Sequence, residues 1–251
     1  MKVSIITVVY NGAATIRDAI ESVLSQTYPD IEYLVIDGHS KDNTTEIVRS
    51  YGSRITRFVS EPDKGLYDAM NKGIRLATGE VIGILNADDF YKHSQVVEKV
   101  VDLFKKKKCD AVYGDVIYVN PINTEKIERD WKVGEYKEGD FLHGWMPPHP
   151  TCFIKRSVYE RLGTYTLELK SSSDYELLLR FIHKHKIRIS YLAETLVTMR
   201  SGGVSNATLK NRWRANREDR QAWRINGLRP YFYTLLLKPL RKIGQVLPKL
   251  S

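Results

Sequence analysis

The feature that most constrains the fold is a regular alternation of apolar runs and helical patterns through the first half of the chain. Residues 3–10 form a nearly continuous apolar run, and Asn11-Gly12 separates it from apolar positions with helical spacing over 16–24. Further apolar runs lie at 33–36, 57–59, 81–85 and 111–118, and helical patterns at 42–48, 66–77 and 96–104. Such alternation predicts an α/β fold with a mostly parallel, Rossmann-like sheet and helices on both faces.

The composition is that of a globular protein from a reducing compartment. With 251 residues, of which 42% are hydrophobic, the chain can form one sizeable core, or one core with an appendage. Its two cysteines, Cys109 and Cys152, lie far apart, so neither a disulfide framework nor a zinc cluster is indicated. No uninterrupted apolar run approaches the roughly 18 residues that a membrane span needs. We therefore expect a cytosolic protein that does not cross a bilayer.

The positive charge is concentrated at one end of the chain. The formal net charge is +9, and residues 210–251 contain 11 Lys and Arg but only two acids, Glu218 and Asp219. Residues 1–206 are therefore neutral overall. A basic end on a neutral body indicates an anionic partner, such as a membrane surface, a lipid phosphate or a nucleic acid. We divide the chain into a body, residues 1–206, and a basic amphipathic helical tail, residues 207–251.

The tail contains two patterns with different properties. The first is an arginine- and tryptophan-rich helix, suited to phosphate contacts and to the headgroup level of a membrane: Arg212, Trp213, Arg217, Arg220, Trp223 and Arg224. The second is typical of an amphipathic helix on an anionic membrane, kinked near Pro239. Its apolar positions are Phe232, Leu236, Leu240, Ile243, Leu247 and Leu250, with Lys238, Arg241, Lys242 and Lys249 mostly off that stripe. A helix packed on its own domain, or paired with a second copy in a homodimer, is the alternative.

Acidic residues follow two of the predicted strands. Asp37 ends the second strand, and Asp88 and Asp89 follow the fourth in the run Asn86-Ala87-Asp88-Asp89. Because ligands bind beyond the carboxyl ends of strands in open sheets, these three carboxylates should face one crevice. Clustered carboxylates need a cation between them, and hard oxygen ligands select Mg²⁺ or Mn²⁺. Such a cation suits a nucleoside diphosphate leaving group, because it neutralises the charge that develops as the bond breaks.

Two common nucleotide-binding motifs are missing. The chain has no GxxxxGKS/T loop, and the first strand is followed by Tyr10-Asn11-Gly12-Ala13-Ala14 rather than GxGxxG. Phosphate binding by a glycine loop is therefore disfavoured, and metal-mediated binding is favoured.

Several segments, in order along the chain, resemble one known family. They are 4–11 (SIITVVYN), 36–42 (IDGHSKD), 63–73 (DKGLYDAMNKG) and 85–89 (LNADD), followed by His149-Pro150-Thr151 and 173–180 (SDYELLLR). Together they are similar to the family 2 glycosyltransferases of the GT-A fold, in particular to bacterial transferases of O-antigen, capsule and colanic-acid type. The resemblance covers roughly residues 1–200. It implies a GT-A catalytic domain over 1–206, with a nucleotide-binding half at about 1–120 and an acceptor half at about 121–206.

The resemblance implies which residues bind the nucleoside. Thr7, Val9 and Asp37 would hold it, together with the loop that contains Asn11. The sequence departs from the family where Val8 or Val9 replaces the usual proline of this loop.

The resemblance also divides the Asn86 to Asp89 run. Asp88 would face the ribose of the donor, and Asp89 would bind the Mn²⁺ or Mg²⁺ that contacts the diphosphate. Asn86 stands where many relatives have Asp, so the last two acids would carry the metal site.

Asp174 matches the position of the family's catalytic base. The family's reaction resembles a direct displacement with inversion at the anomeric carbon, for which one base suffices. By position alone, Asp174 follows Ser171-Ser172-Ser173 and precedes an apolar helix. Its alternative role is that of an N-cap or first-turn acid stabilised by the helix dipole.

Four further residues are secondary candidates. Asp68 either lies on a solvated helix face or supports the donor-side loop, and Lys64 either meets a phosphate or is simply solvated. His149 lies between two prolines on a stiff loop and is assigned to the acceptor or the diphosphate, as is Arg180. Structural packing is the alternative for His149.

These features predict an inverting, metal-assisted glycosyltransferase. Its donor is a nucleotide sugar, and its acceptor a glycan or a polyprenyl-pyrophosphate-linked glycan in surface polysaccharide or lipopolysaccharide synthesis. It is expected in the cytoplasm, bound through its tail to the inner face of the plasma membrane, without a nucleic-acid partner. One alternative is a nucleotidyltransferase on a similar fold, which normally needs a glycine-rich basic loop after the first strand. The other is a noncatalytic membrane-binding adaptor, for which the carboxylates would have no purpose.

Overall fold

A computed structural model describes residues 1–202 and 209–243 of the chain. Its strands are β1 (Val3–Val9), β2 (Ile31–Asp37), β3 (Arg57–Ser60), β4 (Val81–Asn86), β5 (Phe90–Tyr91), β6 (Ala111–Val119), β7 (Ile127–Trp131), β8 (Phe153–Lys155) and β9 (Ile189–Arg200). Its α-helices are α1 (Ile16–Leu24), α2 (Thr44–Arg49), α3 (Leu66–Leu76), α4 (Val96–Lys106), α5 (Arg156–Leu162), α6 (Ser173–Leu178), α7 (Leu209–Ile225) and α8 (Thr234–Ile243). A π-helical turn, Leu179–Lys184, continues α6.

The strands of the described residues form one mixed sheet. Its order is β3-β2-β1-β4-β8-β6-β9-β5, with β7 paired to β6 off this path. The first four of these strands are parallel, β8 is antiparallel to both of its neighbours, and β6 is parallel to β9. The expected α/β fold with a mostly parallel sheet in its first half is therefore confirmed.

The core lies on both faces of this sheet. All seven residues of β1 are buried, which is why the strand reads as a continuous apolar run rather than an alternating one. Ile6 and Val8 pack with α3 on one face. Ile5 and Val9 pack with α1 and α4 on the other. Helices thus cover both faces, as the sequence predicts.

The described part of the tail packs on the body of the protein. Trp223 of α7 and Leu235 of α8 belong to the same hydrophobic cluster as residues of α6. The backbone of α8 approaches so closely that a Cβ on Gly144 would lie 2.5 Å from the amide nitrogen of Lys238. Thr234 donates its hydroxyl to the carbonyl of Leu142 at 2.6 Å. These contacts match the alternative in which the tail packs on its own domain.

Some sequence predictions fall outside the described residues. Residue 206, where the body is predicted to end, lies between the two described ranges. Leu247, Lys249 and Leu250 follow the second range, and the side chains of Arg212, Trp213, Lys242 and Ile243 are also not described. Among the helices of residues 1–202 and 209–243, we find none with the length and apolar character needed to cross a membrane.

Candidate active site

The carboxyl ends of three parallel strands bring the predicted donor residues to one edge of the sheet. In the strand register, Val9 at the end of β1 pairs with Asp37, and its neighbour Val8 pairs with Asn86. The end of β1 therefore lies between the end of β2 and the start of the run that carries Asp88 and Asp89. This arrangement follows from the parallel pairing and places the acids on one side of the molecule.

Asp37 is buried and organises the loops around it. Its carboxylate accepts the Ser60 hydroxyl at 2.6 Å and the Ser40 amide at 3.1 Å, and it also accepts the Ser40 hydroxyl. The Ser40 hydroxyl oxygen in turn accepts the amide of Asn11 at 2.7 Å. Asn11 accepts the Lys41 amide at 2.8 Å and has a left-handed backbone with φ of +51°. Asn11 and Asp37 thus fix the loop after β1 against the loop after β2.

Tyr10 and Asp63 lie beside this loop, although the sequence analysis does not select them. The side chain of Tyr10 is 62% exposed. A Cβ on Gly38 would lie 2.3 Å from the Asp63 carboxylate and 3.4 Å from the Tyr10 ring. A larger residue at position 38 would therefore displace the Asp63 side chain, whereas the Tyr10 ring lies at an ordinary contact distance. The available sequence signal is a tyrosine at the end of an apolar strand, where an exposed ring has no packing role.

The loop before α3 is held by its own acids. The Asp68 carboxylate accepts the Lys64 amide at 3.0 Å, and Asp63 accepts the Gly65 amide at 2.8 Å. Asp68 is half-buried and Lys64 is exposed. Of the two roles considered for Asp68, these contacts match support of the donor-side loop.

Thr7 and Val9 lie beneath the crevice. Thr7 is fully buried, and its hydroxyl oxygen accepts the Tyr33 hydroxyl at 3.1 Å. Val9 is 6% exposed and packs in the core on the side of α1. Both side chains pack in the core, and their contact with a donor stays a prediction.

Asp89 is a buried acid whose hydrogen-bonding capacity is incompletely used. Within the described residues, its Oδ1 and the Oδ1 of Asn86 are buried and accept no hydrogen bond. Its other oxygen accepts the Asn86 side-chain amide at 3.1 Å. Burial raises the pKa of Asp89 well above its ordinary value, and the charge of half-buried Asp88 raises it further, against the lowering effects of Asn86 and Arg200. Such a group favours a nearby cation.

The residues at this position fit a divalent cation that is shared with a substrate. Asp89, Asp88 and the amide oxygen of Asn86 are hard oxygen ligands of the kind that Mg²⁺ and Mn²⁺ prefer. Among the described residues, no group of three or more His, Cys, Asp or Glu side chains could hold a metal by itself. A cation here would therefore need further oxygen ligands from outside these side chains, such as water.

Arg200 is a second residue that the sequence analysis does not select. Its guanidinium is 8% exposed, donates to the Asp88 carbonyl at 2.8 Å and forms an ion pair with Asp18. It also lies over the Phe90 ring. Arg200 thus fixes the backbone of the acidic run from β9, the strand that comes last in the sequence. A single arginine at a strand end gives no sequence signal for this role.

Asp174 lies in the first turn of α6 and is half-buried. Its Oδ1 accepts the hydroxyl of Tyr67, from α3, at 3.1 Å. Burial raises the pKa of Tyr118, and the carboxylates of Asp89 and Asp174 both raise it further, against the lowering effect of Arg129. Asp174 and Asp89 are therefore both close enough to Tyr118, near the end of β6, to influence its pKa.

His149 is buried close to Asp174. It is 9% exposed, and its Nε2 contacts the Tyr165 hydroxyl. Burial lowers the pKa of His149, partly offset by the charge of Asp174, so the imidazole is neutral near pH 7. These contacts match the packing role considered for His149, and its contact with acceptor or diphosphate stays a prediction.

Arg180 connects α6 to the loop that precedes it. Its guanidinium donates to both oxygens of Glu176, at 2.9 and 3.0 Å, and to the carbonyls of Leu162 and Thr164. These partners favour a positioning role, and contact of Arg180 with the acceptor or the diphosphate stays a prediction.

Helix α7 of the tail contacts α6 and the residues just before it. The Glu218 carboxylate accepts the amides of Ser171 and Ser172, at 2.7 and 3.1 Å, just before α6. Trp223 donates its indole N–H to the Tyr175 hydroxyl at 2.9 Å. Trp223 is fully buried, so its predicted place at the headgroup level of a membrane is wrong. The indole is instead part of the core that supports Asp174.

Comparisons with known proteins agree with this geometry. The model of the family "Glycosyl transferase family 2" matches residues 4–163. An uncharacterized glycosyltransferase of Rickettsia typhi is 30% identical over 209 residues, which are 79% of this chain and 63% of that protein. A PGL/p-HBAD biosynthesis glycosyltransferase of Mycobacterium bovis is 28% identical over 208 residues, which are 81% of this chain and 78% of that protein. The chain thus spans less than two thirds of the rickettsial relative's length.

Solved structures show the same fold. Residues 1–349 of S. aureus TarS match with a TM-score of 0.71 and 19% identity, over 97% of this chain and 72% of that one. The same TarS segment in complex with UDP-GlcNAc matches with a TM-score of 0.70 and 18% identity, over 90% and 65%. The mannosyltransferase PcManGT from Pyrobaculum calidifontis, in complex with GDP-Man and Mn²⁺, matches with a TM-score of 0.67 and 20% identity, over 94% and 68%. The GT-A fold expected from the sequence is therefore confirmed.

Proposed function

Because the chain belongs to glycosyl transferase family 2, we propose that it transfers a sugar from a nucleotide-sugar donor to a glycan or lipid-linked acceptor. One observation carries this proposal. Asp89 is a buried carboxylate with an oxygen that accepts no hydrogen bond within the described residues, at the sheet edge that also carries Asp37. The similar structures that contain UDP-GlcNAc, or GDP-Man with Mn²⁺, support a nucleotide-sugar donor and a divalent metal.

The donor would bind along the carboxyl edge of β1, β2 and β4. Asp37 is fixed by its serine partners and would accept hydrogen bonds from the base of the nucleoside. The exposed Tyr10 ring beside Gly38 offers a flat surface for stacking of that base. Asp88 would accept the ribose hydroxyls, because Arg200 holds its backbone at the mouth of the crevice.

Asp89, with the amide oxygen of Asn86, would hold Mn²⁺ or Mg²⁺ against the diphosphate. When bound, this metal supplies positive charge that stabilises the departing nucleoside diphosphate. Asp89 contributes by being buried, since its charge in a low-dielectric setting interacts more strongly than it would in water.

Asp174 would act as the general base of a single displacement. Its carboxylate takes the proton of the acceptor hydroxyl while the acceptor oxygen bonds to the anomeric carbon. The bond from that carbon to the diphosphate breaks on the opposite face, so the configuration inverts. One carboxylate is sufficient, because no covalent enzyme intermediate has to be formed and broken.

The donor proposal is tested by a thermal stabilisation screen. UDP-, GDP- and dTDP-sugars are each added with and without Mn²⁺ or Mg²⁺, and the Tm is recorded. We expect one nucleotide class to raise the Tm only with metal, since a ligand at 100 Kd adds about 2.7 kcal/mol. Asp89→Asn should remove the metal-dependent part of the shift. Metal-dependent stabilisation that is unchanged in Asp89→Asn would contradict the assignment.

An exposed apolar stripe on α8 and on the turn that precedes it supports a membrane-bound acceptor. Phe232, Leu236 and Leu240 are 91%, 61% and 54% exposed and recur at steps of four. Arg229 and Arg241, on either side of them, are also exposed. An apolar stripe with flanking cations suits the surface of an anionic membrane. We therefore propose that the protein docks at the inner face of the plasma membrane and acts on polyprenyl-pyrophosphate-linked acceptors in surface polysaccharide synthesis.

Vesicle flotation tests this docking. The double substitution Leu236→Gln and Leu240→Gln should lower binding to vesicles that contain phosphatidylglycerol, because it removes apolar area from the stripe. Ile122→Gln is the matched control, since Ile122 is 96% exposed but lies far along the chain from α8. Point substitutions are preferable to truncation of the tail, because truncation would also remove Glu218 and Trp223, which contact α6 and the residues just before it. Unchanged flotation of the double variant would contradict the proposal, as would loss of self-association instead of vesicle binding.

A further inference from the structure

Helix α3 carries two buried polar side chains that donor binding does not use. Tyr67 and Asn71 are 7% and 5% exposed and lie one turn apart on the same side of the helix. Asp68, between them, instead supports the donor-side loop through the Lys64 amide. The segment 63–73, which resembles a donor-site motif, therefore also contacts residues of the predicted acceptor half, 121–206.

Tyr67 reaches the proposed base directly. Its hydroxyl lies 3.1 Å from Oδ1 of Asp174. Burial raises the pKa of Tyr67 well above its ordinary value, and the charge of Asp174 raises it further, so the hydroxyl keeps its proton and donates it. The bond occupies one carboxylate oxygen and leaves the other available to a substrate.

Asn71 holds the loop that leads to the base. Its side chain accepts the Tyr165 amide and donates to the Tyr165 carbonyl, both at 2.9 Å. The Tyr165 ring stacks on Tyr67, with ring centroids 5.5 Å apart. One residue further on, the Thr166 carbonyl accepts the hydroxyl of Ser173, the first residue of α6, at 2.7 Å. A connected set of contacts thus runs from α3 to the Asp174 carboxylate and to Ser173, the residue before it.

We propose that Tyr67 and Asn71 are positioning residues for Asp174, with the Tyr67 hydroxyl holding Oδ1 so that Oδ2 faces the acceptor hydroxyl. The inference rests on the proposed function, in which Asp174 is the base. A base must lie within about 3 Å of the proton it removes, and a misplacement of about 1 Å lowers a rate on the order of 100-fold. The donor-side loop leads directly into α3. The contacts of Tyr67 and Asn71 therefore also fix the distance between the donor and the base.

Tyr67→Phe tests the inference with a minimal change. The variant keeps the ring that stacks on Tyr165 and removes only the hydroxyl. Release of UDP or GDP from UDP-GlcNAc and GDP-mannose is followed with a polyprenyl-pyrophosphate-linked sugar as acceptor, and binding of UDP and GDP with Mn²⁺ is measured by calorimetry. We expect kcat to fall about 10- to 100-fold, while the donor KM and the nucleotide affinity stay within about twofold.

Tyr28→Phe is the matched control. It removes a hydroxyl that donates to the Met1 carbonyl at 2.7 Å, next to the start of β1 and therefore at the opposite edge of the sheet. It should leave both kcat and affinity unchanged. A loss of nucleotide affinity in Tyr67→Phe with kcat retained would overturn the inference, because Tyr67 would then act on the donor.

The double variant separates positioning from other effects. In an Asp174→Asn background, Tyr67→Phe should have no further effect on the residual rate, since residues that act as one unit are not additive. An equal loss in both backgrounds would overturn the inference. If Asp174→Asn keeps the full rate, the proposed base fails and the inference fails with it. If Asp174→Asn loses the rate and Tyr67→Phe does not, only the positioning role fails.

Discussion

Two buried acids at opposite edges of the same sheet have opposite environments. At the amino edge, Glu32 is 6% exposed and accepts hydrogen bonds from the Thr78 amide at 2.8 Å, the Thr78 hydroxyl at 2.6 Å and the Lys2 ammonium at 3.1 Å, as well as from the Ser4 hydroxyl. Burial raises the pKa of Glu32, but these bonds outweigh it and lower the pKa to about 2. At the carboxyl edge, Asp89 is equally buried, yet its pKa is raised.

The difference indicates where the fold is stabilised and where it is prepared for a ligand. A buried carboxylate with a full set of donors contributes to folding, whereas one with an unpaired oxygen costs free energy until a cation arrives. The amino edge therefore serves stability and the carboxyl edge serves binding. Replacing Asp89 by its amide should therefore lower activity but not stability, and replacing Glu32 by its amide should lower stability but not activity.

Asp89→Asn should give the largest effect. We expect transfer to fall about 10³-fold or more, because the diphosphate loses its metal-mediated charge stabilisation. Without metal, the variant should be at least as stable as the wild type, since a buried acid without a full set of hydrogen-bond partners has been replaced. Steady-state kinetics and urea unfolding in EDTA check the two statements. A variant that is both active and less stable would reverse the roles of the two edges.

The pH dependence of unfolding should show how much Glu32, at the amino edge, contributes to stability. The pKa of Glu32 is about 2 in the folded protein, against an ordinary value of 4.5. The stability it contributes is therefore fully present above about pH 5 and is lost as the pH falls towards 2, up to about 3 kcal/mol. Urea unfolding at a series of pH values measures this loss.

Glu32→Gln isolates that contribution from those of the other acids. At pH 7 the variant should be less stable than the wild type by about 2–3 kcal/mol, and the difference should shrink as the pH falls from 5 to 2. Its transfer rate per folded molecule should be unchanged. A difference in stability that is independent of pH would mean that the charge of Glu32 is not what stabilises the amino edge.

The smallest effect is expected where the tail meets the base helix. Trp223→Phe removes the bond to the Tyr175 hydroxyl and should cost about 1–2 kcal/mol of stability. Transfer should fall about threefold, because Tyr175 follows Asp174, while nucleotide affinity stays the same. A double-mutant cycle with Tyr175→Phe measures the coupling between the two side chains. Additive losses would show that this bond does not support α6.

The first half of the fold was predictable because its signals are local. Apolar runs and helical spacing locate β4 at 81–85, against Val81–Asn86 in the structure, and α3 at 66–77, against Leu66–Leu76. Parallel pairing then brings Asp37 and the Asn86 to Asp89 run to one edge without further information.

The contacts that support the site were not predictable, because they join residues far apart in the sequence. Tyr67 and Asp174 are 107 positions apart, and Arg200 and Asp88 are 112 apart. Trp223 was misplaced because arginine-rich helices with tryptophan also occur at membrane surfaces. The better signal was the pair of acids in the basic tail, since Glu218 and Asp219 are both buried and mark the face of α7 that packs on the body.

In the proposed function, Asp89 binds the metal that contacts the donor diphosphate, and Asp174 is the base of the transfer. Calorimetric titration of UDP and GDP with Mn²⁺, alongside the transfer rate, tests it most directly in the two variants Asp89→Asn and Asp174→Asn. Asp174→Asn should bind the nucleotide within about twofold of the wild type and lose transfer on the order of 10²- to 10³-fold, whereas Asp89→Asn should lose the Mn²⁺-dependent affinity. An Asp174→Asn variant that loses nucleotide affinity, or that transfers sugar at the wild-type rate, would contradict this division.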